Sequence, residues 1–154
     1  MHLVPKAQAF ARRFHVRSDG SPQMYGDETY YDGHLTPVAL LVEAFGGSPQ
    51  QIASAYLHDA PEDTLLTLGA VMDEFGYVVH RTVDALTRRE DEEYDDYIRR
   101  VIEDPNARLI KWCDASVNYK KSIRSLVDNP DDEKAMYRVN KYRIVLASLG
   151  RYVL

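Results

Sequence analysis

The sequence of 154 residues has few of the features that mark secreted and membrane proteins. It contains a single cysteine, Cys113, which excludes an internal disulfide and fits a reducing compartment. No apolar run approaches the roughly 18–20 residues that a membrane-spanning helix needs. The first stretch, MHLVPKAQAFARRFH, lacks a long apolar segment and a small-residue cleavage site, so it does not resemble a secretory signal. We therefore expect a cytoplasmic protein without a membrane partner.

Repeats, low-complexity segments and linkers are also missing, which predicts a single domain over residues 1–154. Hydrophobic residues make up 45% of the chain and charged residues 28%, a composition that can bury a core. The net charge of −5 is uneven: residues 1–104 have 9 basic and 19 acidic side chains, whereas residues 105–154 have 10 and 5. The acidic part can hold a cation and the basic part can contact phosphates, although solvated helix faces explain the same pattern.

Apolar residues recur mostly at helical spacing, which predicts an all-α bundle of seven or eight helices. Ser48 and Thr67 are the predicted N-caps of two of these helices. Pro61 is expected to end the helix that Ser48 begins. Residues 18–33 are rich in Gly, Ser and Asp and are expected to form a long loop. The predicted helices cover residues 6–16, 35–45, 49–60, 67–75, 77–86, 94–102, 106–120 and 130–149.

The stretch YLHDAPEDT, residues 56–64, places one imidazole and three carboxylates next to an apolar run. Such groups are costly to desolvate unless a positive charge joins them. A metal ion or basic side chains could supply that charge, or the groups could remain exposed to solvent. Manganese and iron accept mixed imidazole and carboxylate ligands. His58 and Asp59 would supply one nitrogen and one oxygen from a helix end. His34 and Asp114 are candidates for the ligands that must come from elsewhere.

Two further acids and an amide complete a possible hydrolytic site. Glu62 and Asp63 follow the break at Pro61, so they can fold back toward a metal and take or order the proton of a water. Asn118 lies four residues after Asp114, on the same helix face. A metal, carboxylates that direct water and lysines that neutralise phosphate charge are what hydrolysis of a phosphate ester requires. Taken singly, each of these residues also fits an ordinary surface or core role.

At this point the sequence resembles the HD superfamily of metal-dependent phosphohydrolases, and within it the hydrolase domain of RelA/SpoT-type enzymes. HDAPEDT at 58–64 is similar to their His-Asp-x-x-Glu-Asp-Thr motif, and YYDGHLTPVALLV resembles their Tyr-x-x-His-Pro stretch, with Tyr31 as its tyrosine. VDALTRRE, YDDYIRRV and LIKWCDASVN resemble three later segments of that domain. The order and spacing hold from about residue 7 to residue 121, roughly three quarters of the chain.

The resemblance implies an all-α fold, one Mn²⁺ ion and hydrolysis of the 3′-pyrophosphate of guanosine tetra- or pentaphosphate. The products would be pyrophosphate and GDP or GTP, as in the small stand-alone alarmone hydrolases. By the same resemblance the metal ligands would be His34, His58, Asp59 and Asp114, and the catalytic acids would be Glu62 and Asp63. The residues expected to bind substrate are Asn118, Lys111, Arg17, Tyr31 and Lys121. Fe²⁺ or another divalent ion would suit the same ligands.

The region before His34 differs from that family and leaves the identity of the base open. The family has a basic Gln-x-Arg-Lys-x-Gly run there, whereas this chain has VRSDGSPQMYGDETYYDG, and Leu35 stands where the family has proline. Whatever the base, we expect the partner to be a small nucleotide and not a nucleic-acid polymer. The alternatives are an HD-type phosphohydrolase acting on a deoxynucleotide or a nicotinamide dinucleotide phosphate, and a non-catalytic module that senses a nucleotide.

Overall fold

Helices make up most of the chain in the computed structural model, which describes residues 2–150. Within that range there are nine α-helices, of which α4 has four residues and the others have eight or more, so the predicted all-α class is confirmed. The predicted domain also included Met1 and residues 151–154, which lie outside the described residues. The helices are α1 Leu3–Phe14, α2 Thr36–Ala44, α3 Pro49–Leu57, α4 Ala60–Asp63, α5 Leu68–Phe75, α6 Tyr77–Leu86, α7 Tyr94–Glu103, α8 Pro105–Asp128 and α9 Glu133–Leu149.

Local capping signals locate several helix starts correctly. Ser48 accepts a hydrogen bond from the backbone of Gln51, whose side chain accepts one from the Ser48 amide, and this capping box begins α3. Thr67 accepts from the Ala70 amide at the start of α5. Pro61 acts differently from the prediction: α3 already ends at Leu57, and the proline lies in the first turn of α4, where its missing N–H costs nothing.

The segment predicted as a loop, residues 18–33, contains regular structure, and this prediction was wrong. Strands β1 Met24–Tyr25 and β2 Glu28–Thr29 form an antiparallel hairpin whose turn begins at Gly26, with φ of +69°. A π-helical turn, Tyr31–Leu35, then leads directly into α2. Strands of two residues are too short for a period-two pattern, so the sequence could not reveal them. The hairpin and the π-helical turn are important because they bring tyrosines and a histidine to the interior.

The long helix α8 lies at the centre of the bundle. It packs against α9, α2, α7 and α6, while α3 packs against α1, α2 and α6. The core includes Leu35, Leu57, Val83, Ile110 and Cys113, so the cysteine is a buried packing residue as the sequence indicated. None of the helices that the structure describes has the length and apolarity to cross a bilayer. The core therefore fixes α3 and α8 side by side, with the π-helical turn against α2.

Candidate metal centre

Three separate parts of the chain bring the four predicted ligands to one buried position. His34 lies in the π-helical turn, His58 and Asp59 lie between α3 and α4, and Asp114 lies in the middle of α8. The Nε2 atom of His34 is 3.4 Å from Asp59 Oδ2 and 3.3 Å from Asp114 Oδ1. The Nε2 atom of His58 is 3.0 Å and 3.7 Å from the same two oxygens. The two imidazoles and two carboxylates thus face one another.

Both imidazoles present an unpartnered nitrogen to this position. His58 Nδ1 lies 2.7 Å from the Ala55 carbonyl oxygen, to which it donates, so its Nε2 atom points toward the carboxylates. The Nε2 atoms of His34 and His58 are buried, and although carboxylate oxygens lie 3.0–3.7 Å away, none of these contacts has hydrogen-bond geometry. His34, His58 and Asp59 offer ligand atoms that all lie within 4.8 Å of one another. Two nitrogens and two carboxylates form a donor set that suits Mn²⁺ or Fe²⁺.

Burial and neighbouring charges act in opposite directions on the pKa values of the cluster. Burial by itself lowers the pKa of His58, but the carboxylates of Asp59 and Asp114 outweigh it, so the net pKa lies well above the usual value. Burial would raise the pKa of Asp114, but Lys111 and the two imidazoles hold it well below the usual value. These directions favour protonated imidazoles beside ionised carboxylates when no ion is bound. A metal ion would replace those protons.

Hydrogen bonds from further side chains hold the two aspartates in place. The Tyr30 hydroxyl donates to Asp59 Oδ2. Lys111 Nζ donates to Asp114 Oδ2 at 2.8 Å, and Asn118 Nδ2 donates to Asp114 Oδ1 at 2.7 Å. The Tyr25 hydroxyl donates in turn to Asn118 Oδ1 at 2.5 Å. Groups of this kind orient metal ligands and fix their protonation.

Tyr25 and Tyr30 were missed by the reasoning from sequence. Both lie in the segment predicted to be a loop, and the signal that could have found them is its density of tyrosines. The ring of Tyr30 lies 4.9 Å from that of His34, and the ring of Tyr25 lies 5.0 Å from it, both measured between centroids. The hairpin therefore covers the candidate centre with two aromatic side chains.

The two predicted catalytic acids lie on α4, next to the cluster in sequence, and both are exposed. Glu62 Oε1 accepts a hydrogen bond of 2.6 Å from the Arg88 amide. Burial and the charges of Asp59 and Glu62 raise the pKa of Asp63. A carboxylate with a raised pKa is a better proton acceptor than an ordinary surface aspartate.

The predicted substrate-binding residues divide into two groups. Asn118 and Lys111 bond to the predicted ligand Asp114, and Lys121 Nζ lies 2.9 Å from the centroid of the Tyr25 ring, which in turn contacts His34. Tyr31 is only 7% exposed and stacks on Tyr56 in the core, and Arg17 is exposed in the turn after α1. Contact of any of them with a substrate stays a prediction, but the placement favours the first three.

A further cation near the centre, Lys141 on α9, was not identified from the sequence. Its Nζ atom lies 4.7 Å from the centroid of the Tyr94 ring. Burial and the nearby charge of Lys111 lower its pKa. In the described part of the chain no carboxylate lies within ion-pair distance of its ammonium group. Only the three-dimensional position of α9 brings this lysine near the cluster.

Comparisons with known proteins find relatives by sequence and by structure, although no family model matches the chain. A guanosine-3′,5′-bis(diphosphate) 3′-pyrophosphohydrolase of Aquifex aeolicus is 30% identical over 76% of this chain and 17% of its own length. GTP pyrophosphokinases of Streptomyces antibioticus and Streptomyces coelicolor are each 26% identical over 97% of this chain and 18% of their own lengths. The chain thus spans less than a fifth of the length of these relatives.

A solved structure shares the fold over almost the whole chain. It is a metazoan ortholog of SpoT, described as hydrolysing ppGpp, and it superposes with a TM-score of 0.66 at 19% identity. The match covers 97% of this chain and 84% of the other. Three observations on this chain point in the same direction. They are its helical architecture, the four converging side chains and the named relatives. Together they support an HD-type domain similar to the hydrolase domain of RelA/SpoT-type proteins.

Proposed function

We propose that this domain hydrolyses the 3′-pyrophosphate of guanosine tetra- or pentaphosphate in the presence of Mn²⁺. The observation that carries the proposal is the pair of buried, unpartnered imidazole nitrogens facing two carboxylates, with an acidic pair on the next helix. The relatives' names include both a hydrolase and pyrophosphokinases. Hydrolysis is the better match to this site, because a metal centre with an adjacent pair of exposed carboxylates is suited to activating water.

His34, His58, Asp59 and Asp114 would hold the ion. A bound divalent ion would act as a Lewis acid and lower the pKa of a water molecule at the site. The chain supplies the orientation of these ligands through Tyr30, Lys111 and Asn118, whose hydrogen bonds fix both aspartates.

Glu62 and Asp63 would orient the attacking water and accept its proton. The water oxygen forms a bond to the phosphorus attached to the ribose 3′ oxygen, and the bond between that phosphorus and the ribose oxygen breaks. The ribose oxygen takes up a proton, and pyrophosphate leaves with the oxygen of the water. Asn118 keeps one N–H and one lone pair free for the nucleotide sugar, because its other polar positions bond to Asp114 and Tyr25.

Product analysis by anion-exchange chromatography tests the proposal directly. The protein with Mn²⁺ is mixed in parallel with guanosine tetraphosphate, deoxynucleotides and nicotinamide dinucleotide phosphate. We expect GDP and pyrophosphate from the first, and complete loss of both products when a chelator is added. Turnover of a different nucleotide would reject the alarmone specificity and keep the metal mechanism. Bound Mn²⁺ without turnover of any of them would indicate a sensing module.

Two variants separate metal binding from proton transfer. Glu62→Gln should bind Mn²⁺ as the wild type does but lose about 10²- to 10⁴-fold in kcat, the range for a general acid or base. Asp59→Ala should lose both metal and activity. Glu43→Gln, which changes an exposed glutamate on α2 outside the centre, is the matched control and should change neither. Full activity in Glu62→Gln would remove that residue from the mechanism.

A further inference from the structure

We infer that Arg100 is a positioning residue: it holds residues 87–93 so that the Arg88 amide fixes the orientation of the Glu62 carboxylate. The inference rests on the proposed function, in which Glu62 directs the attacking water. Arg100 lies on α7, whereas Glu62 lies on α4, 38 positions earlier in the sequence. The segment that follows α6 connects the two, and hydrogen bonds to residues of that segment link Arg100 to Glu62 step by step.

The first step is the end of α6. The last carbonyl groups of a helix have no partner within the helix and attract a cation. The Arg100 guanidinium donates to the carbonyl oxygens of Asp84 at 3.4 Å, Ala85 at 3.0 Å and Thr87 at 2.9 Å. It thereby caps α6 and fixes the direction in which the chain leaves the helix.

The second step is the return of the segment toward α7. The Arg100 guanidinium forms a two-pronged ion pair with Glu92, with Nε to Oε1 and Nη2 to Oε2 both at 2.8 Å. The Glu92 side chain is only 13% exposed, and its Oε2 atom also accepts from the Arg89 amide at 3.0 Å. The Arg88 side chain donates to the Glu92 carbonyl oxygen at 2.9 and 2.8 Å. Both ends of the segment are therefore attached to one guanidinium group.

The third step is the contact with the acidic pair. The Arg88 amide donates to Glu62 Oε1 at 2.6 Å, the length of a strong, charge-assisted hydrogen bond. Because the donor is a main-chain group, its position depends on the conformation of residues 87–93 and not on the Arg88 rotamer. Glu62 is otherwise exposed on a four-residue helix, so this bond selects among its side-chain orientations. A loosened segment would leave the carboxylate present but misdirected.

Lysine cannot replace this arginine. The guanidinium presents a planar set of five N–H donors, and this structure uses it toward three carbonyls and both oxygens of a carboxylate. A lysine keeps the charge but reaches one or two of these partners at a time. Arg100→Lys therefore tests geometry while it preserves net charge.

The kinetic test compares Arg100→Lys with Arg99→Lys. Arg99 is the neighbouring residue on the same helix, is 74% exposed and pairs only with Asp96 among the contacts described. For Arg100→Lys we expect kcat to fall by about 10- to 100-fold, as for a small misplacement of a catalytic group, with KM and Mn²⁺ affinity nearly unchanged. Arg99→Lys should retain the wild-type kcat. A loss confined to KM would contradict the inference.

A double variant distinguishes positioning from a general loss of stability. If Arg100 acts through Glu62, Arg100→Lys should cost less than about twofold in kcat when Glu62→Gln is already present. Equal losses in both backgrounds would overturn the inference. Glu92→Gln, which weakens the same ion pair from the other side, should repeat the pattern and serves if Arg100→Lys does not fold.

A measurement that needs no turnover completes the test. Hydrogen exchange of the Arg88 amide, followed by NMR, should be at least tenfold faster in Arg100→Lys than in wild type and unchanged in Arg99→Lys. Equal exchange rates in all three proteins would overturn the inference even if no nucleotide is hydrolysed. Absence of turnover with accelerated exchange would reject the proposed reaction and keep the structural connection between Arg100 and Glu62.

Discussion

The hydroxyl group of Tyr30, the residue that follows the N-terminal hairpin, contacts the candidate metal centre. It donates to Asp59 Oδ2, and the Tyr30 ring stacks on His15 with 5.0 Å between centroids. Burial and the Asp59 charge raise the pKa of Tyr30, so the hydroxyl stays protonated and remains a donor. The bond is made to the Asp59 oxygen that faces both imidazoles, and it restricts the direction of the carboxylate.

Tyr30→Phe should therefore weaken metal binding without unfolding the protein. Loss of an outer hydrogen bond to a metal ligand costs about 10- to 100-fold in affinity, and we expect a value near the lower end because the ring is retained. Isothermal titration with Mn²⁺ measures the change. Tyr137→Phe alters a tyrosine that is 69% exposed and is the control. Equal affinities in wild type and Tyr30→Phe would show that the bond does not orient Asp59.

The motifs of the sequence pointed to the four side chains of the candidate centre but not to the tyrosines that hydrogen-bond around it. His58 and Asp59 are adjacent in sequence, and Asp114 was proposed from its motif, so the convergence could be anticipated. The donors Tyr25 and Tyr30 depend on a hairpin of two-residue strands, which leaves no periodic signal. Lys111 was expected to bind substrate, and nothing in the sequence indicated that its ammonium group also pairs with Asp114. Such pairings are set by the distance between side chains after folding.

The segment between helices α6 and α7 is held in place by the ion pair of Arg100 and Glu92. Hydrogen bonds from Arg100 lower the pKa of Glu92 from 4.5 to about 2. A carboxyl group with a lowered pKa in the folded state stabilises the protein above its unfolded pKa, and the contribution disappears as the pH falls through the folded pKa. The stabilisation by Glu92 should therefore be complete above about pH 5 and lost between pH 4.5 and pH 2.

Urea unfolding of wild type and Glu92→Gln across this pH range tests the argument. We expect the variant to be less stable by about 1–2 kcal/mol at pH 6, a range for hydrogen bonds to charged groups at a partly solvated site. The difference should shrink steadily below pH 4.5. Asp96→Asn, which removes an exposed ion pair to Arg99, should change stability by less than about 0.5 kcal/mol at either pH. A pH-independent difference for Glu92→Gln would show that its charge is not the cause.

Helix starts were predictable from the sequence where a side chain caps the backbone, and helix ends were less predictable. Ser48 and Thr67 act within three residues of their position, so local reading suffices. Helix α8 continues to Asp128, eight residues beyond the prediction, through KSIRSLVD, in which the apolar Ile123 and Val127 are exposed. Its contact with α9 extends it, and a contact between two helices is not encoded in the composition of one.

At the scale of the whole molecule, the candidate centre joins parts of the chain that are distant in sequence. His34 belongs to the turn before α2, His58 and Asp59 to the junction of α3 and α4, and Asp114 to α8. In the absence of an ion, two carboxylates and two imidazoles face one another in the interior, an arrangement that costs desolvation energy. A ligand that binds only the folded state stabilises it by mass action. The ion should therefore stabilise the entire bundle, not one element.

Thermal unfolding with and without Mn²⁺ tests this coupling. At a metal concentration 100 times the dissociation constant, the stabilisation is about 2.7 kcal/mol, which corresponds to a rise in Tm of roughly 5–10 °C for a domain of this size. Asp59→Ala should show almost no rise, because it removes a carboxylate that faces both imidazoles. Asp73→Ala removes an exposed carboxylate on α5 and should respond as the wild type does. An equal rise in Asp59→Ala would mean that Mn²⁺ binds elsewhere, and the proposed ligand set would then be rejected.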